Sequence, residues 1–270
     1  MKEGMKLLIY GDVVGKLGRA GVRLAIDEWR KETNTDIVIA NAENVAHGKG
    51  IGEKQLAELR NAGVDVFTGG NHSVEGKNAG LLLNDETLPI TRPANMSSAL
   101  PGRGVIVFEK NGVAPLVVIN LIGQVNMRQA YDSPFHKLDD ILETYQETSP
   151  FKIIDWHADV TSEKNIMGWY ADGKVSLVYG THAHVPTADA RILPKGTGYI
   201  SDIGMTGPHH SIIGVTVEPS IIRFRDQIMR PMDVVESGPI EVHAIAVSLD
   251  PTGRTVDIRH LRKIIDTYTI

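Results

Sequence analysis

Six short apolar runs, each ending in a small polar or glycine-rich turn, constrain the fold of this chain most strongly. They cover residues 6–11, 36–41, 65–70, 115–120, 152–156 and 175–180. The runs are rich in β-branched residues, and their apolar residues are continuous rather than alternating with polar ones. Strands with this pattern are buried on both faces, as the strands of parallel sheets are.

Helical patterns lie between several of these strands, at residues 19–32, 53–62 and 137–148. Strand, helix and strand in this order predict βαβ units and an α/β fold. Toward the C-terminus, residues 235–249 and 255–261 alternate apolar and polar residues, which predicts antiparallel strands that complete a mixed sheet. No change in composition marks a boundary, so we expect one domain over residues 1–270.

The charge and the cysteine content exclude several classes of protein. The net charge is −5, whereas sequence-independent binding to nucleic acid normally requires a basic face, so we expect no stable nucleic-acid binding. The chain has no cysteine, which excludes disulfides, thiolate metal ligands and thiol catalysis. No apolar run reaches the roughly 18 residues of a membrane span, and none at the N-terminus is long enough for a signal peptide. We therefore expect a cytoplasmic protein with no membrane partner.

Side chains that can bind metals follow five of the predicted strands. They are Asp12, Glu43, Asn44, Asn71, His157, His182 and His184. In open α/β sheets, ligands bind beyond the carboxyl ends of the strands, and this rule places the whole set at the same edge of one sheet. His182 and His184 are two residues apart, and in an extended segment that spacing turns both imidazoles to the same side.

Each of these residues has a simpler interpretation when it is taken alone. Asp12 follows Gly11 in a sequence that commonly forms turns, and Asn44 and Asn71 are ordinary turn formers. His157 is compatible with a hydrogen-bonded histidine of the core. The position of the whole set after successive strands is what favours a metal site over these alternatives.

The types of donor indicate which metals the set would hold. Two carboxylates, two asparagines and three histidines exceed the needs of one tetrahedral zinc and suit two divalent ions, with Glu43 as the bridge. Two such ions, two carboxylates and a bridging hydroxide leave a charge of about +1, which favours a monoanionic phosphodiester as the small-molecule substrate. The hydroxide would be the nucleophile. His72 is the candidate general acid for the leaving alkoxide, unless it only forms a hydrogen bond within its loop.

The motifs around these residues resemble the calcineurin-like metallophosphoesterase superfamily. They are GDVVG, NAEN, GGNH and GTHAH. Further stretches, among them AHGKG and RPAN, are similar to the YmdB-type branch, which contains bacterial phosphodiesterases acting on 2′,3′-cyclic nucleotides. The resemblance extends over residues 6–215.

The resemblance implies a four-layer α/β/β/α sandwich of two mixed sheets and a catalytic His72. It also implies two metal positions, the first held by Asp12, Glu43 and His184 with Asn44 nearby, and the second held by Glu43, Asn71, His157 and His182.

Two positions depart from the broad superfamily pattern. Val14 stands where the first motif usually has a histidine ligand, and Glu43 stands where the second motif usually has an aspartate. Both changes are shared with the YmdB-type branch and favour that narrower assignment. Because oxygen donors then outnumber imidazoles, iron or manganese is favoured, with zinc as the alternative.

Two predicted loops have alternative roles between which the sequence does not decide. His47 and Gly48 begin a glycine-rich loop before a predicted helix, and backbone N–H groups at such a place can bind phosphate, so we predict substrate contact there. Glycines that only permit a tight loop would explain the same sequence. Residues 205–213 form either a cover over the site or a subunit contact, which leaves a homo-oligomer open.

Two other functions also remain open. One is a metal-dependent phosphomonoesterase or protein phosphatase, since the sequence does not define the shape of the pocket. The other is a regulatory or RNA-associated protein in which the metal site is a relic.

Overall fold

A computed structural model describes residues 4–266 of the chain. The predicted domain of residues 1–270 therefore includes seven terminal residues that lie outside the described part. In chain order the elements are β1 (Met5–Asp12), α1 (Gly15–Thr33), β2 (Ile37–Asn41), α2 (Glu53–Ala62), β3 (Val66–Thr68), α3 (Ala79–Asn84), β4 (Val105–Lys110), β5 (Val113–Ile122), α4 (Pro134–Thr144), β6 (Lys152–His157), α5 (Thr161–Ala171), β7 (Leu177–Thr181), β8 (Arg191–Ile192), β9 (Gly198–Ile200), β10 (Gly207–Pro208), α6 (Val217–Asp226), β11 (Ile240–Leu249) and β12 (Thr255–Ile265).

The strands form two mixed sheets of six strands each. In the first sheet, β1, β2 and β3 are parallel neighbours, while β11 lies antiparallel to β1 and is flanked by β10 and β12. In the second sheet, β5, β6, β7 and β9 are parallel, and β4 and β8 are antiparallel edge strands. The predicted α/β class is confirmed, and so is the pair of mixed sheets that the family resemblance implied.

Alternate residues of the central strands face different layers, as the period of a strand requires. In β1, Leu7 and Ile9 pack between the two sheets, whereas Leu8 and Tyr10 pack against α1 and its neighbours. A third core joins the outer face of the second sheet to α4 and α5. The order of layers is therefore helices, sheet, sheet, helices, and the continuous apolar runs of the sequence arise because both faces of each central strand are buried.

Most predicted helices and strands are observed at the predicted positions, with differences at their ends. Helix α2 covers residues 53–62 as predicted, whereas α4 begins at Pro134 rather than Lys137 and ends at Thr144. Strand β4 was not predicted from the sequence, and most of its residues are only partly buried or exposed. Within residues 4–266, no helix is both long enough and apolar enough to cross a membrane.

Candidate metal centre

The predicted metal ligands converge from both sheets. Asp12 ends β1, and the turns after β2 and β3 carry three more of the set, Glu43, Asn44 and Asn71. His157 ends β6 of the second sheet, and His182 and His184 lie in the turn after β7. The prediction that one edge of one sheet supplies all of them is wrong. The carboxyl ends of parallel strands in two facing sheets meet at the same end of the sandwich, and the residues gather between them.

Nε2 of His157 is the centre of one group of donors. It lies 3.0 Å from Oδ1 of Asn71, 3.1 Å from Nδ1 of His182 and 3.3 Å from Oε1 of Glu43. Donor atoms of Glu43, His157 and His182 all lie within 4.8 Å of one another, which is the spacing of ligands around a single ion. These are the residues that the family resemblance assigned to one metal.

A second group lies on the other side of Glu43. Nε2 of His184 is 3.3 Å from Nδ2 of Asn44 and 3.9 Å from Oδ1 of Asp12, and Nδ2 of Asn44 is 3.2 Å from Oε1 of Glu43. Nδ1 of His184 donates to the carbonyl oxygen of Ile213 at 2.9 Å. Because that carbonyl can only accept, Nε2 of the neutral ring carries the lone pair, which can accept from Nδ2 of Asn44.

The two histidines after β7 have strained backbones rather than extended ones. Both lie in the left-handed region, with φ of 95° at His182 and 63° at His184. Non-glycine residues are uncommon there, and such residues cluster at functional sites. The expected extended segment is therefore wrong, and the two imidazoles serve different donor groups. The peptide N–H of His182 donates to Oδ2 of Asp12 at 3.0 Å, which fixes the turn against β1.

Burial and mutual charge set the protonation of this centre in the metal-free chain. Burial acts to raise the pKa of Glu43, but the neighbouring charge of His157 outweighs it and lowers the pKa to about 2. Burial acts to lower the pKa of His157, but the charge of Glu43 raises it to about 9. Burial and the charge of His157 lower the pKa of His182 to about 3, and burial raises the pKa of Asp12.

Two features show that the residues fit a metal. Among residues 4–266, Oδ1 of Asp12 is one of few buried side-chain nitrogen or oxygen atoms without a hydrogen-bond partner, so a carboxyl oxygen faces the site unsatisfied. At Gly70 an added Cβ would lie 2.3 Å from both Oε2 of Glu43 and Nε2 of His157, so glycine keeps the space between these donors open. Oxygen and imidazole donors of this kind suit divalent transition metals.

His72 lies at the rim of the centre. Its peptide N–H donates to Oε2 of Glu43 at 2.9 Å, and its Nδ1 is 2.9 Å from Oε1 of Glu75. Its side chain is 20% exposed, so the ring is within reach of a bound molecule. Because the carboxylate of Glu75 accepts from Nδ1, Nε2 carries a proton only in the imidazolium form of the ring.

His47 and Gly48 lie apart from the donor groups. They form part of the wall of a cavity of about 620 Å³ that also includes Lys49, Lys77 and Asp233, and no predicted metal ligand lines it. Both residues have positive φ, 53° and 83°. Their predicted contact with substrate stays a prediction.

Two buried charged groups that support the site were missed in the sequence. Nζ of Lys164, on α5, donates to Oδ2 of Asp202 at 2.5 Å and to the carbonyl oxygen of Thr181 at 2.8 Å. Oδ2 of Asp202 also accepts from the peptide N–H of Ala183 at 3.0 Å, between the two histidines of the turn. The second group is Asp155, in the interior of β6. An acidic residue between apolar residues of a strand is the signal that would have identified Asp155, whereas Lys164 lies among polar residues of α5 and has no such signal.

Comparison with known proteins finds one family model and several similar proteins. Residues 8–261 match the family model described as YmdB-like protein. A Bacillus subtilis protein named 2′,3′-cyclic-nucleotide 2′-phosphodiesterase is 40% identical over 258 residues, which cover 95% of this chain and 96% of the relative. A Mycoplasma pneumoniae protein named putative phosphatase/phosphodiesterase is 38% identical over 231 residues, which cover 83% of this chain and 80% of the relative.

Solved structures agree with this result. A crystal structure described as a novel phosphatase from Mycoplasma pneumoniae superposes with a TM-score of 0.91 at 34% identity, over 99% of this chain and 96% of that one. A protein of Thermus thermophilus described as hypothetical superposes with a TM-score of 0.89 at 39% identity, over 96% of this chain and 99% of that one. The fold, the matched residues and the identity over almost the full length lead to one conclusion: the chain belongs to the YmdB-like family.

Proposed function

We propose that this chain is a metal-dependent phosphodiesterase that uses two divalent ions and acts on small phosphodiesters, in particular 2′,3′-cyclic nucleotides. The observation that carries the proposal is the convergence of the buried Glu43 and His157 with the half-buried His182, with Asp12 and His184 beside them. The Bacillus subtilis relative is named for hydrolysis of that class of substrate, and it is 40% identical over almost the whole chain.

The donor groups suggest how the ligands divide between the ions. Asp12, Asn44 and His184 would hold one ion, and Asn71, His157 and His182 would hold the other. Glu43 touches both groups, since its Oε1 is near Asn44 and His157, and it would be shared. With three imidazoles and four oxygen-bearing side chains, iron and manganese are favoured and zinc is the alternative.

Such ions, when bound, make water a nucleophile near neutral pH and stabilise the charge that develops on the phosphoryl oxygens. The net charge of the ions and their proposed ligands determines which substrates the site favours. Asp12 and Glu43 are the carboxylates among the proposed ligands, and they offset only part of the charge of two divalent ions. The remaining positive charge favours an anionic phosphate ester at the site.

His72 supplies the proton that the leaving oxygen requires. The contact of Nδ1 with Glu75 orients the ring, and the peptide N–H bonded to Glu43 fixes the main chain beside the site. In the imidazolium form of the ring, the proton on Nε2 can pass to the alkoxide as the ester bond breaks, and the neutral ring that remains keeps its proton on Nδ1 toward Glu75, which is general acid catalysis.

Elemental analysis and three substrates test this proposal on one preparation. We expect about two metal ions per chain and faster hydrolysis of bis-p-nitrophenyl phosphate and 2′,3′-cyclic AMP than of p-nitrophenyl phosphate. A protein that binds no metal and stays inactive on all three after addition of Mn²⁺ or Fe²⁺ contradicts the proposal.

A phosphomonoesterase is the second candidate, because one similar structure is described as a phosphatase. Preference for p-nitrophenyl phosphate over both diesters in the same assay would favour that activity. A relic metal site is the weaker alternative, since every predicted ligand is present and the seven side chains converge.

A further inference from the structure

Along the central strands, every second side chain points into the space between the two sheets, and these side chains form the inward row of each strand. The inward rows are apolar at first and become polar near the carboxyl ends of the strands. In β6, Ile153 packs between the sheets, and the next residue of that row is Asp155. The corresponding rows of β2, β3 and β7 end in Asn41, Thr68 and Thr181, and the row of β5 contains Asn120 two residues before its end, all four fully buried. These five side chains form a polar layer directly below the metal centre.

Asp155 is the hub of this layer and contacts both sheets. Its Oδ2 accepts from Nδ2 of Asn41 at 3.1 Å and from the hydroxyl of Thr68, both on the first sheet. Its Oδ1 accepts from the hydroxyl of Thr181 at 2.6 Å, on the second sheet. A buried carboxylate that gathers three donors acts as an acceptor at both oxygens.

Thr181 transmits the orientation of that carboxylate to a proposed metal ligand. Its Oγ1 lies 2.9 Å from Nδ1 of His157. A hydroxyl has a single proton, and Thr181 gives that proton to Asp155, so its oxygen can only accept from the imidazole. Nδ1 of His157 must then carry the proton of the neutral ring, and Nε2, which faces Glu43 and His182, is left with a lone pair.

We propose that Asp155 is a positioning residue that selects, through Thr181, the tautomer of His157 able to bind metal at Nε2. The inference rests on the proposed function, because the benefit of this tautomer is metal affinity. The same carboxylate also reaches the other side of the centre, since Oδ1 of Asn41 accepts from the peptide N–H of Glu43 at 3.1 Å. One buried side chain thereby aligns ligands that come from different sheets.

Asp155→Asn reverses the direction of the hydrogen bonds with almost no change in shape. The new carboxamide oxygen remains the acceptor for Asn41 and Thr68, which turns the amide nitrogen toward Thr181. The hydroxyl of Thr181 then accepts from that amide and directs its own proton at Nδ1 of His157, which favours a proton on Nε2. Loss of such supporting hydrogen bonds typically lowers metal affinity by about 10- to 100-fold, and we expect that decrease for Mn²⁺ in titration calorimetry.

Matched variants separate this role from general destabilisation. Thr181→Val removes the relay and should lower Mn²⁺ affinity as Asp155→Asn does, whereas Thr181→Ser keeps the hydroxyl and should stay within about threefold of the native chain. Thr68→Val removes a donor to the same carboxylate that is not on the path to His157. It should lower thermal stability yet leave Mn²⁺ affinity within about threefold.

Ring-nitrogen NMR of the metal-free protein provides the second readout. At alkaline pH, where the imidazoles are neutral, the native chain and Thr181→Ser should show the proton of His157 on Nδ1, and Asp155→Asn should show it on Nε2. The inference would be overturned if Asp155→Asn and Thr181→Val had the same His157 tautomer and the same Mn²⁺ affinity as the native chain. A native chain that binds no divalent ion contradicts the proposed function instead, and the NMR result still decides the tautomer.

Discussion

Oε1 of Glu43 lies 3.3 Å from Nε2 of His157, although the two residues follow strands of different sheets. Both side chains are almost fully buried, with 1% and 0% exposure. In the metal-free chain they form an ion pair, because each charge shifts the pKa of the other toward the ionised state. A proton therefore occupies the nitrogen that a metal ion would use.

Metal binding should release that proton. Below its pKa of about 9, His157 holds a proton that the ion must displace, whereas Glu43 with its pKa of about 2 is already ionised. Affinity should consequently rise by roughly tenfold per pH unit up to about pH 9, and fall as the pH decreases. Calorimetry in buffers of different ionisation enthalpy should detect about one proton released per chain at neutral pH. An affinity independent of pH between neutral and alkaline solution would contradict this expectation.

Gly70→Ala should empty the metal centre. The new Cβ would lie 2.3 Å from Oε2 of Glu43 and from Nε2 of His157, so both buried donor side chains would have to move out of place. We expect elemental analysis to find less than half of the native metal content, while circular dichroism still shows a folded protein. Gly80→Ala is the matched control, because its Cβ would meet only Pro101 at 3.4 Å. Native metal content in Gly70→Ala would show that the ligands hold ions elsewhere.

His72→Asn should separate chemistry from metal binding. General acid catalysis contributes about 100-fold or more, so kcat on 2′,3′-cyclic AMP should fall by that factor. The decrease on bis-p-nitrophenyl phosphate should stay below about tenfold, because p-nitrophenolate leaves without a proton. Metal content should be unchanged, and His136→Asn, at an exposed position of α4, should leave both activities as they are. Loss of metal in His72→Asn would make this residue a ligand rather than the acid.

Lys164→Met should destabilise the whole fold. The pair with Asp202 is 2% and 1% exposed, and removal of the lysine charge leaves a buried carboxylate without its partner. Broken pairs of this kind cost about 3–5 kcal/mol, which urea denaturation can measure. Arg259→Met breaks an ion pair with Asp257 in which both side chains are 52% exposed, and it should cost at most about 1 kcal/mol. Similar midpoints of urea denaturation for both variants would argue against a structural role for the buried pair of Lys164 and Asp202.

Local sequence predicted the residue types of the site but not their partners. Asp12, Asn71 and His182 were identifiable because each follows an apolar run, and the end of a strand is readable from the run itself. The division of the strands between two sheets was not readable, because a strand buried between two sheets has the same composition as one covered by helices. The set was therefore expected at one sheet and is formed by two.

The supporting residues show the same limit. Asp155 appears in the sequence only as one acidic residue within an apolar run, and its neighbours Asn41, Thr68 and Thr181 come from three other strands. Hydrogen bonds among residues so distant in sequence depend on register and sheet packing. The local sequence around each of these residues does not indicate such hydrogen bonds.

The sequence by itself determined the α/β class, the strands that carry the ligands and the donor types, since periodicity and residue chemistry are local properties. Tertiary structure alone decided that Glu43 meets His157, that His182 and His184 adopt left-handed backbones, and that Asp155 lies beneath them. These features arise when two sheets pack face to face and bring the ends of their strands together. Their geometry is set by contacts between residues far apart in the sequence, such as Asp12 and His182, which are separated by 170 positions.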